Sequence, residues 1–183
     1  MIRLLTDTDF AALFGHMCRH GDESGRNGDV IFRPRSQHEV MDEVQISQRH
    51  RGAWGRGLDQ PLWLRTWGVF VDNAIVGHLD LNGGRLPAEL HRATLGMGIE
   101  RRARKKGFGR ELLETAIAWA RVNKLAWIDL GVFAHNEIAR ALYKSVGFVE
   151  TGLVKDQFRV DGIKIDDVSM SLALRVSPSA TSR

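Results

Sequence analysis

The chain has 183 residues, which suits one domain with a sizeable core, and 43% of them are hydrophobic while 26% are charged. Its net charge of +4 favours anionic ligands only weakly, and its single cysteine, Cys18, excludes an intrachain disulfide or a cysteine-rich metal site. The sequence has no apolar run suited to a signal peptide or long enough to cross a bilayer, so we expect a cytoplasmic protein with no membrane segment.

The first sixty residues predict a short strand and two helices. Residues 1–5 read as the strand, and Thr6 and Asp9 have the spacing of a capping box. Apolar residues then recur at the helical spacing i, i+3, i+4 and i+7, namely Phe10, Leu13, Phe14 and Met17. Residues 19–35 are polar and glycine-rich, which predicts a loop, and a second helix is expected from after Ser36 to His50.

From Leu62 onward the pattern changes to strands alternating with helices. Strands are predicted at 62–72, 74–81, 91–100 and 126–133, then from Gly147 and in a final hairpin, with helices at 109–124 and 136–146. Asp72-Asn73 and Asp161-Gly162 are predicted hairpin turns. This order indicates one mixed α/β domain with a central sheet, and the tail 176–183 is predicted to be disordered.

Residues 101–113, RRARKKGFGRELL, join a predicted strand to a predicted helix. The first turn of a helix has unpaired N–H groups and the positive end of the helix dipole, and glycines let an anion approach the main chain. The glycine pattern matches neither the dinucleotide-binding fingerprint nor the Walker loop. A phosphate cradle and a solvated basic turn both remain open, whereas a nucleic-acid patch lacks interleaved aromatic residues.

Residues 136–148, NEIARALYKSVGF, together with the glycine loop resemble the GNAT superfamily of acyl-CoA-dependent N-acetyltransferases. The loop pattern of that family, Arg/Gln-x-x-Gly-x-Gly/Ala, falls on Arg104, Gly107 and Gly109. Its later signature falls on Asn136, Ala139, Leu142, Tyr143, Gly147 and Phe148. The resemblance covers roughly 62–174 and implies a GNAT-like domain over 1–175, with a central mixed twisted sheet of about six to seven strands flanked by about four helices.

The resemblance implies acetyl-CoA as co-substrate and no metal. Main-chain groups on the strand before the loop would bind the pantetheine arm, and loop N–H groups would hold the pyrophosphate. The residues concerned are Met97, Gly98, Ile99, Arg104, Lys105, Lys106, Gly107, Phe108, Gly109 and Arg110. Asn136 would bond the cofactor arm, and Tyr143 would protonate the departing thiolate. Each of these two has a structural alternative, since Asn136 suits a helix cap and Tyr143 suits the core.

The general base is left open by the sequence. Some family members carry a glutamate where this chain has Gly131. His91 opens the strand of Met97 and Ile99 and shares their side by alternation, so it is the first candidate for the base. Asp80 and His78 on the preceding strand are the alternatives, because the sequence does not say which face of the sheet is active.

The leading hypothesis is an N-acetyltransferase acting on a small-molecule amine. An amino acid or analogue is the acceptor that we expect, because His91–Ile99, the final hairpin and Asp166-Asp167 are similar to members with such substrates. Arg33, Arg35, Trp67 and Arg159 are candidates for the acceptor pocket. The alternatives are acetylation of a polyamine, an antibiotic or a protein N-terminus, and a non-catalytic acyl-CoA sensor. We expect no nucleic-acid or membrane partner, and a homodimer is left open.

Overall fold

The computed structural model describes residues 1–174, so the tail predicted to be disordered lies outside the described residues. The strands are β1 (Ile2–Leu4), β2 (Leu64–Val71), β3 (Ala74–Gly83), β4 (Arg92–Ile99), β5 (Trp127–Phe133), β6 (Val149–Val160) and β7 (Ile163–Ala173). The helices are α1 (Phe10–Glu23), α2 (Glu43–Trp54), α3 (Phe108–Val122) and α4 (Glu137–Ser145). Within these residues, none of the helices is long and apolar enough to cross a membrane.

All seven strands form one sheet in the order β1-β2-β3-β4-β5-β7-β6. Every neighbouring pair is antiparallel except β4 and β5, which are parallel. Both predicted hairpin turns are confirmed, with Asp72 and Asn73 at φ 48° and 61° and Asp161 and Gly162 at φ 48° and 83°. The mixed sheet and the four flanking helices therefore agree with the fold that the sequence predicted.

The parallel pair β4–β5 is joined at one end only. Its pairing runs from Arg92 opposite Trp127 to Thr94 opposite Asp129. The Arg92 guanidinium also donates two hydrogen bonds of 2.7 and 2.6 Å to the Asp129 carboxylate. Beyond this point β4 stays with β3 and β5 stays with β7. The two strands thus leave an opening between residues 95–99 and 130–133, which we call the open end.

Helices cover both faces of the sheet. The buried residues of α3, such as Leu112 and Leu113, pack with Leu79 and Leu95 in the main core. On the opposite face α1 buries three residues that lie three apart, Phe10, Leu13 and His16. A histidine in that buried row means that α1 brings a polar group to the sheet as well as an apolar stripe.

Two predictions for the first part of the chain were wrong. Residues 19–23 belong to α1 and not to the loop, because the polar end of the helix is held by distant contacts: the Glu23 carboxylate accepts the Arg101 N–H at 2.8 and 2.9 Å. The second helix begins at Glu43 and not after Ser36, because the Asp42 carboxylate accepts the N–H of Gln45 at 3.0 Å and caps it there. Sequence periodicity does not reveal the contact between Glu23 and Arg101, because the two residues are far apart in the sequence.

Candidate active site

Main-chain groups of β4 point into the open end. The N–H of Glu100 bonds the carbonyl of Val76 on β3 at 2.9 Å, so by alternation the groups of Ile99 and Met97 point away from β3. The Ile99 carbonyl accepts Arg104 Nε at 3.0 Å, while Met97 has no strand beside it on that side. Gly98 differs from its neighbours, since its main chain faces β3 and its Cα lies against the ring of His20.

The glycine loop has the backbone that an anion site needs. Gly107 is the N-cap residue of α3 at φ 85°, and no side chain caps the helix there. A Cβ at Gly107 would meet no atom within 4 Å, so the space over the first turn is open. Lys105 and Lys106 are exposed beside it, and Lys105 also has a left-handed φ of 60°. Phe108 packs against the core, and Gly109 lies close to Leu142 of α4, which fixes the start of the helix.

Most of the basic side chains in this stretch are already paired. The Arg101 guanidinium binds Asp29, that of Arg102 binds Glu100, and that of Arg104 binds Glu23 and Asp29. Arg110 donates to Ser145 Oγ at 2.9 Å. Arg104 therefore anchors the loop to the rest of the fold, and an anion at this site would depend mainly on main-chain N–H groups.

Asn136 and Tyr143 are both on α4, at opposite ends. The Asn136 side chain accepts the N–H of Ala139 at 3.2 Å, so the helix-cap alternative is confirmed, and its amide nitrogen remains for another partner. Tyr143 is 7% exposed and its ring packs on Phe148 at a centroid distance of 5.8 Å. Burial raises the pKa of Tyr143 to about 12, so its hydroxyl stays protonated at neutral pH.

The candidate bases lie in different places. His91 is exposed at the paired end of β4, six residues and ~20 Å along the strand from Met97. His78 pairs with Gly98 and Asp80 with Gly96, so both stand beside the open end. His78 and Asp80 face α1 and α2. His78 contacts His16 of α1, and the Asp80 carboxylate accepts the hydroxyl of Thr66 at 2.6 Å, which in turn accepts Trp54 Nε1 of α2 at 3.0 Å.

Gly131 of β5 and Asp167 of the neighbouring strand β7 lie against each other at the β5 side of the open end. A Cβ at Gly131 would come within 2.6 Å of Asp167 Oδ2, so the carboxylate of Asp167 covers the place that a side chain at position 131 would take. Burial raises the pKa of Asp167. A carboxylate is therefore present at this position although Gly131 itself supplies none.

A buried hydrogen-bonded chain runs from Glu100 to His78. His16 Nδ1 lies 2.8 Å from Glu100 Oε1, and His16 Nε2 lies 2.9 Å from His78 Nδ1. Glu100 is 2% exposed and also accepts Arg19 Nε at 3.0 Å and Arg102 Nε at 2.7 Å. The chain thus begins at a carboxylate held by two guanidinium groups and ends at the open end of the sheet.

Burial and hydrogen bonding set the charges of this chain. Burial alone would raise the pKa of Glu100, but the hydrogen bonds from His16, Arg19 and Arg102 outweigh it and lower that pKa to about 2. Burial, with help from His78, lowers the pKa of His16 to about 4, although Glu100 opposes this shift. At neutral pH the chain therefore consists of a carboxylate and a neutral imidazole. No group of three or more such side chains within residues 1–174 is arranged to hold a metal ion.

The depressed pKa of His16 makes the fold sensitive to acid. Because the unfolded chain holds His16 at about 6.5, it binds more protons than the folded protein between about pH 4 and 6.5, and stability is lost as the pH falls through that range. We expect the free energy of unfolding in urea to drop by about 2–3 kcal/mol from this residue between pH 7 and 4.5. His16→Gln should give a shallower pH dependence, and equal slopes in the two proteins would contradict this.

A cavity of about 190 Å³ lies beside the hydrogen-bonded row of Glu100, His16 and His78. It is lined by His78 and His20, by Arg33 and Arg49, and by apolar residues such as Met41. Arg33 Nη2 is buried and has no hydrogen-bond partner among residues 1–174. Such a donor costs free energy unless a ligand satisfies it, and a guanidinium suits a carboxylate.

A larger cavity of about 910 Å³ lies on the same face and shares Arg49 with the first. It is lined by Arg92, Thr94 and Asp129, which belong to the paired end of β4 and β5. None of the candidate acid or base residues lines it. The smaller cavity is therefore the better candidate for an acceptor, in spite of its size.

The sequence interpretation missed His16, His20 and Glu100. His16 did leave a signal, since it falls three residues after Leu13 on the buried side of α1. Of the proposed acceptor residues, Arg33 and Arg35 line the smaller cavity, whereas Trp67 is buried in the main core and Arg159 pairs with Asp156 on β6.

Three comparisons with known proteins bear on this site. The model of the acetyltransferase (GNAT) family matches residues 31–148. An L-amino acid N-acetyltransferase, AaaT of Escherichia coli (strain K12), is 27% identical over 158 residues, which cover 84% of this chain and 94% of that protein. The solved acetyltransferase of the GNAT family from Streptococcus pneumoniae has a TM-score of 0.79 at 21% identity, over 96% of this chain and 99% of that chain.

A phosphinothricin acetyltransferase (Pat) from Sinorhizobium meliloti, solved in complex with acetyl-CoA, has a TM-score of 0.77 at 17% identity. The match covers 95% of this chain and 88% of that chain. At these identities the two solved structures support the fold alone.

Proposed function

Because the chain belongs to the GNAT acetyltransferase family, we propose that it transfers the acetyl group of acetyl-CoA to the amino group of a small amine that carries a carboxylate, such as an amino acid. The family resemblance seen in two sequence motifs is confirmed, and the enzyme class is an acyltransferase. The choice of acceptor rests on two observations: Arg33 lines the cavity beside the open end, and its guanidinium has a buried nitrogen without a hydrogen-bond partner among residues 1–174. The L-amino acid N-acetyltransferase among the relatives supports the same choice.

The residues fit the co-substrate that the family uses. Bound acetyl-CoA would supply an activated acetyl group, and the open end, the Met97 main chain and the N–H groups after Gly107 are the groups that would hold it. Tyr143 would donate its proton to the leaving sulfur. The N–H groups from Lys105 to Arg110 would hold the pyrophosphate and Asn136 would bond the cofactor arm, whereas Arg104 anchors the loop through Glu23 and Asp29.

The acceptor class is tested with a panel of primary amines. We would measure acetyl-CoA-dependent thiol release with amino acids, their carboxamides, the decarboxylated amines, polyamines, aminoglycosides and N-terminal peptides. We expect amino acids to be turned over and their carboxamides to react poorly, because only a carboxylate pairs with Arg33. Equal rates for an amino acid and its carboxamide would contradict the proposal. Acetyl-CoA binding by calorimetry with no turnover at all would favour the sensor.

Arg33→Met is expected to raise the KM for the amino acid about 10- to 100-fold with little change in kcat. This range corresponds to the loss of a charge-assisted hydrogen bond worth about 1.5–3 kcal/mol. The KM for the carboxamide should stay the same, since it makes no such bond. Arg121→Met is the matched control, because Arg121 is exposed near the end of α3, outside both cavities. A rise in KM for both amines alike would show that Arg33 acts on the shape of the cavity instead.

A further inference from the structure

Hydrogen bonding within the buried chain fixes where the histidine protons lie. Glu100 is a carboxylate and can only accept, so His16 donates its Nδ1–H to it. A neutral imidazole has one N–H, which leaves a lone pair on His16 Nε2. His78 must then donate its own Nδ1–H across the 2.9 Å contact. The lone pair of His78 is therefore on Nε2.

The Nε2 atom of His78 ends the hydrogen-bonded chain that starts at Glu100. Nδ1 bonds His16, and no hydrogen bond from Nε2 is found within residues 1–174. His78 lines the 190 Å³ cavity that also holds Arg33, and it stands opposite Gly98 at the open end. The residue that carries this basic nitrogen thus lines the cavity in which the amine of a substrate would approach an acyl group.

We propose that His78 is the general base of the transfer and that His16 and Glu100 are positioning residues that keep its Nε2 unprotonated. This inference rests on the function proposed above. His78 Nε2 takes one proton from the ammonium group of the acceptor. The nitrogen then bonds the acetyl carbon while the carbon–sulfur bond breaks, and the sulfur receives its proton from Tyr143, which regains one from the acylated nitrogen through solvent. The net products are the amide, the thiol and one proton that leaves from His78.

The surroundings of His78 determine its pH response. Burial lowers the pKa of His78, the charge of Asp80 opposes this shift and His50 adds to it. The other titratable or charged groups around it are His16, Arg19 and His20 of α1, Glu100 after β4, Arg49 of α2 and Arg33 of the loop before α2. The lowered pKa keeps His78 a neutral base at neutral pH, and His78 loses this capacity as the pH falls through that pKa.

The decisive variant is His78→Asn, since its amide can still donate to His16 Nε2. We expect kcat/KM for the amino acid at pH 7 to fall about 10²-fold, which is typical of losing a general base, with an unchanged acetyl-CoA Kd. Between pH 6.5 and 7.5 the wild type should change little, whereas the variant should gain about tenfold per pH unit because it relies on the neutral amine in solution. His38→Asn, an exposed histidine outside the cavity, should match the wild type.

The two other candidate bases are tested in the same assay with the substitutions His91→Asn and Asp80→Asn. The proposal is overturned if His78→Asn keeps the wild-type rate and pH profile, or if one of the rival variants alone acquires the tenfold dependence. A wild type that acetylates no carboxylate-bearing amine would overturn the proposed function and this inference together. If the wild type acetylates a carboxylate-bearing amine and the His78→Asn variant does so equally well, only this inference is overturned.

The proton positions are tested without activity. Long-range nitrogen–proton NMR spectra of the wild-type imidazoles should show His78 protonated on Nδ1 and His16 protonated on Nδ1, with the signals of His78 assigned by their loss in His78→Asn. Protonation of His78 on Nε2 at pH 7 would refute the proposal even if the variant failed to fold.

Discussion

Tyr143→Phe is expected to lower kcat about 10³-fold, within the range typical of losing a general acid, while the acetyl-CoA Kd stays within about threefold. The hydroxyl is the only group removed, and burial raises the pKa of Tyr143 to about 12, so in the native protein it is a donor at every pH used for assay. Within residues 1–174 it makes no hydrogen bond that would occupy this donor. Thiol release and calorimetry on the same samples would measure both quantities.

Packing provides the control for this variant. The ring of Tyr143 lies against Phe148 at 5.8 Å, and a phenylalanine ring keeps that contact. The melting temperature should therefore be unchanged or slightly higher. If kcat stayed within threefold of the wild type, Tyr143 would be a core residue, as the alternative interpretation of the sequence held. If the Kd rose together with the loss of kcat, its role would be in binding rather than in proton transfer.

The second half of the fold could be predicted because its signals are local. The turns at Asp72-Asn73 and Asp161-Gly162 need left-handed backbone that few residues adopt, and the structure has it at both places. Apolar spacing identified α3, since Leu112, Leu113 and Ile117 are all buried as that pattern requires. The glycine loop and the α4 signature were recognisable for the same reason, as each is contiguous in sequence.

The active face of the sheet could not be predicted in this way. Alternation along β3 shows that His78 and Leu79 point to opposite faces, but it does not say which face α1 covers. That depends on contacts between residues far apart in sequence, such as His16 with Glu100, 84 positions away. The prediction of His91 shows the same limit, because parity placed it on a side of the strand but not at the open end.

The first sixty residues were the hardest part for a related reason. The chain between α1 and α2 has no apolar periodicity, yet it carries Arg33 to the cavity and Asp29 to the glycine loop. Arg104 illustrates the consequence, since the family resemblance implies a cofactor-binding residue and the structure pairs its side chain with Glu23 and Asp29. Polar loops of this kind are positioned by tertiary ion pairs, which leave no pattern in a single sequence.

A substitution at Gly107 has a matched control in the chain itself. Gly107 and Gly162 have nearly equal φ values, 85° and 83°, and a Cβ at either would meet no atom within 4 Å. Valine at each position should therefore cost a similar amount of stability, about 1–2 kcal/mol for left-handed backbone. Only Gly107 caps α3, beside the N–H groups proposed to hold the pyrophosphate, whereas Gly162 is in the β6–β7 turn.

We therefore expect Gly107→Val to raise the acetyl-CoA Kd about 10²-fold and Gly162→Val to change it less than twofold. The side chain would stand over the first turn of α3, where the loss of charge-assisted bonds to main-chain N–H groups costs about 3 kcal/mol. Calorimetric titration with acetyl-CoA, and urea unfolding of both variants, would separate affinity from stability. Equal effects of the two substitutions on Kd would mean that the loop acts only through stability, and the phosphate cradle would then have to lie elsewhere.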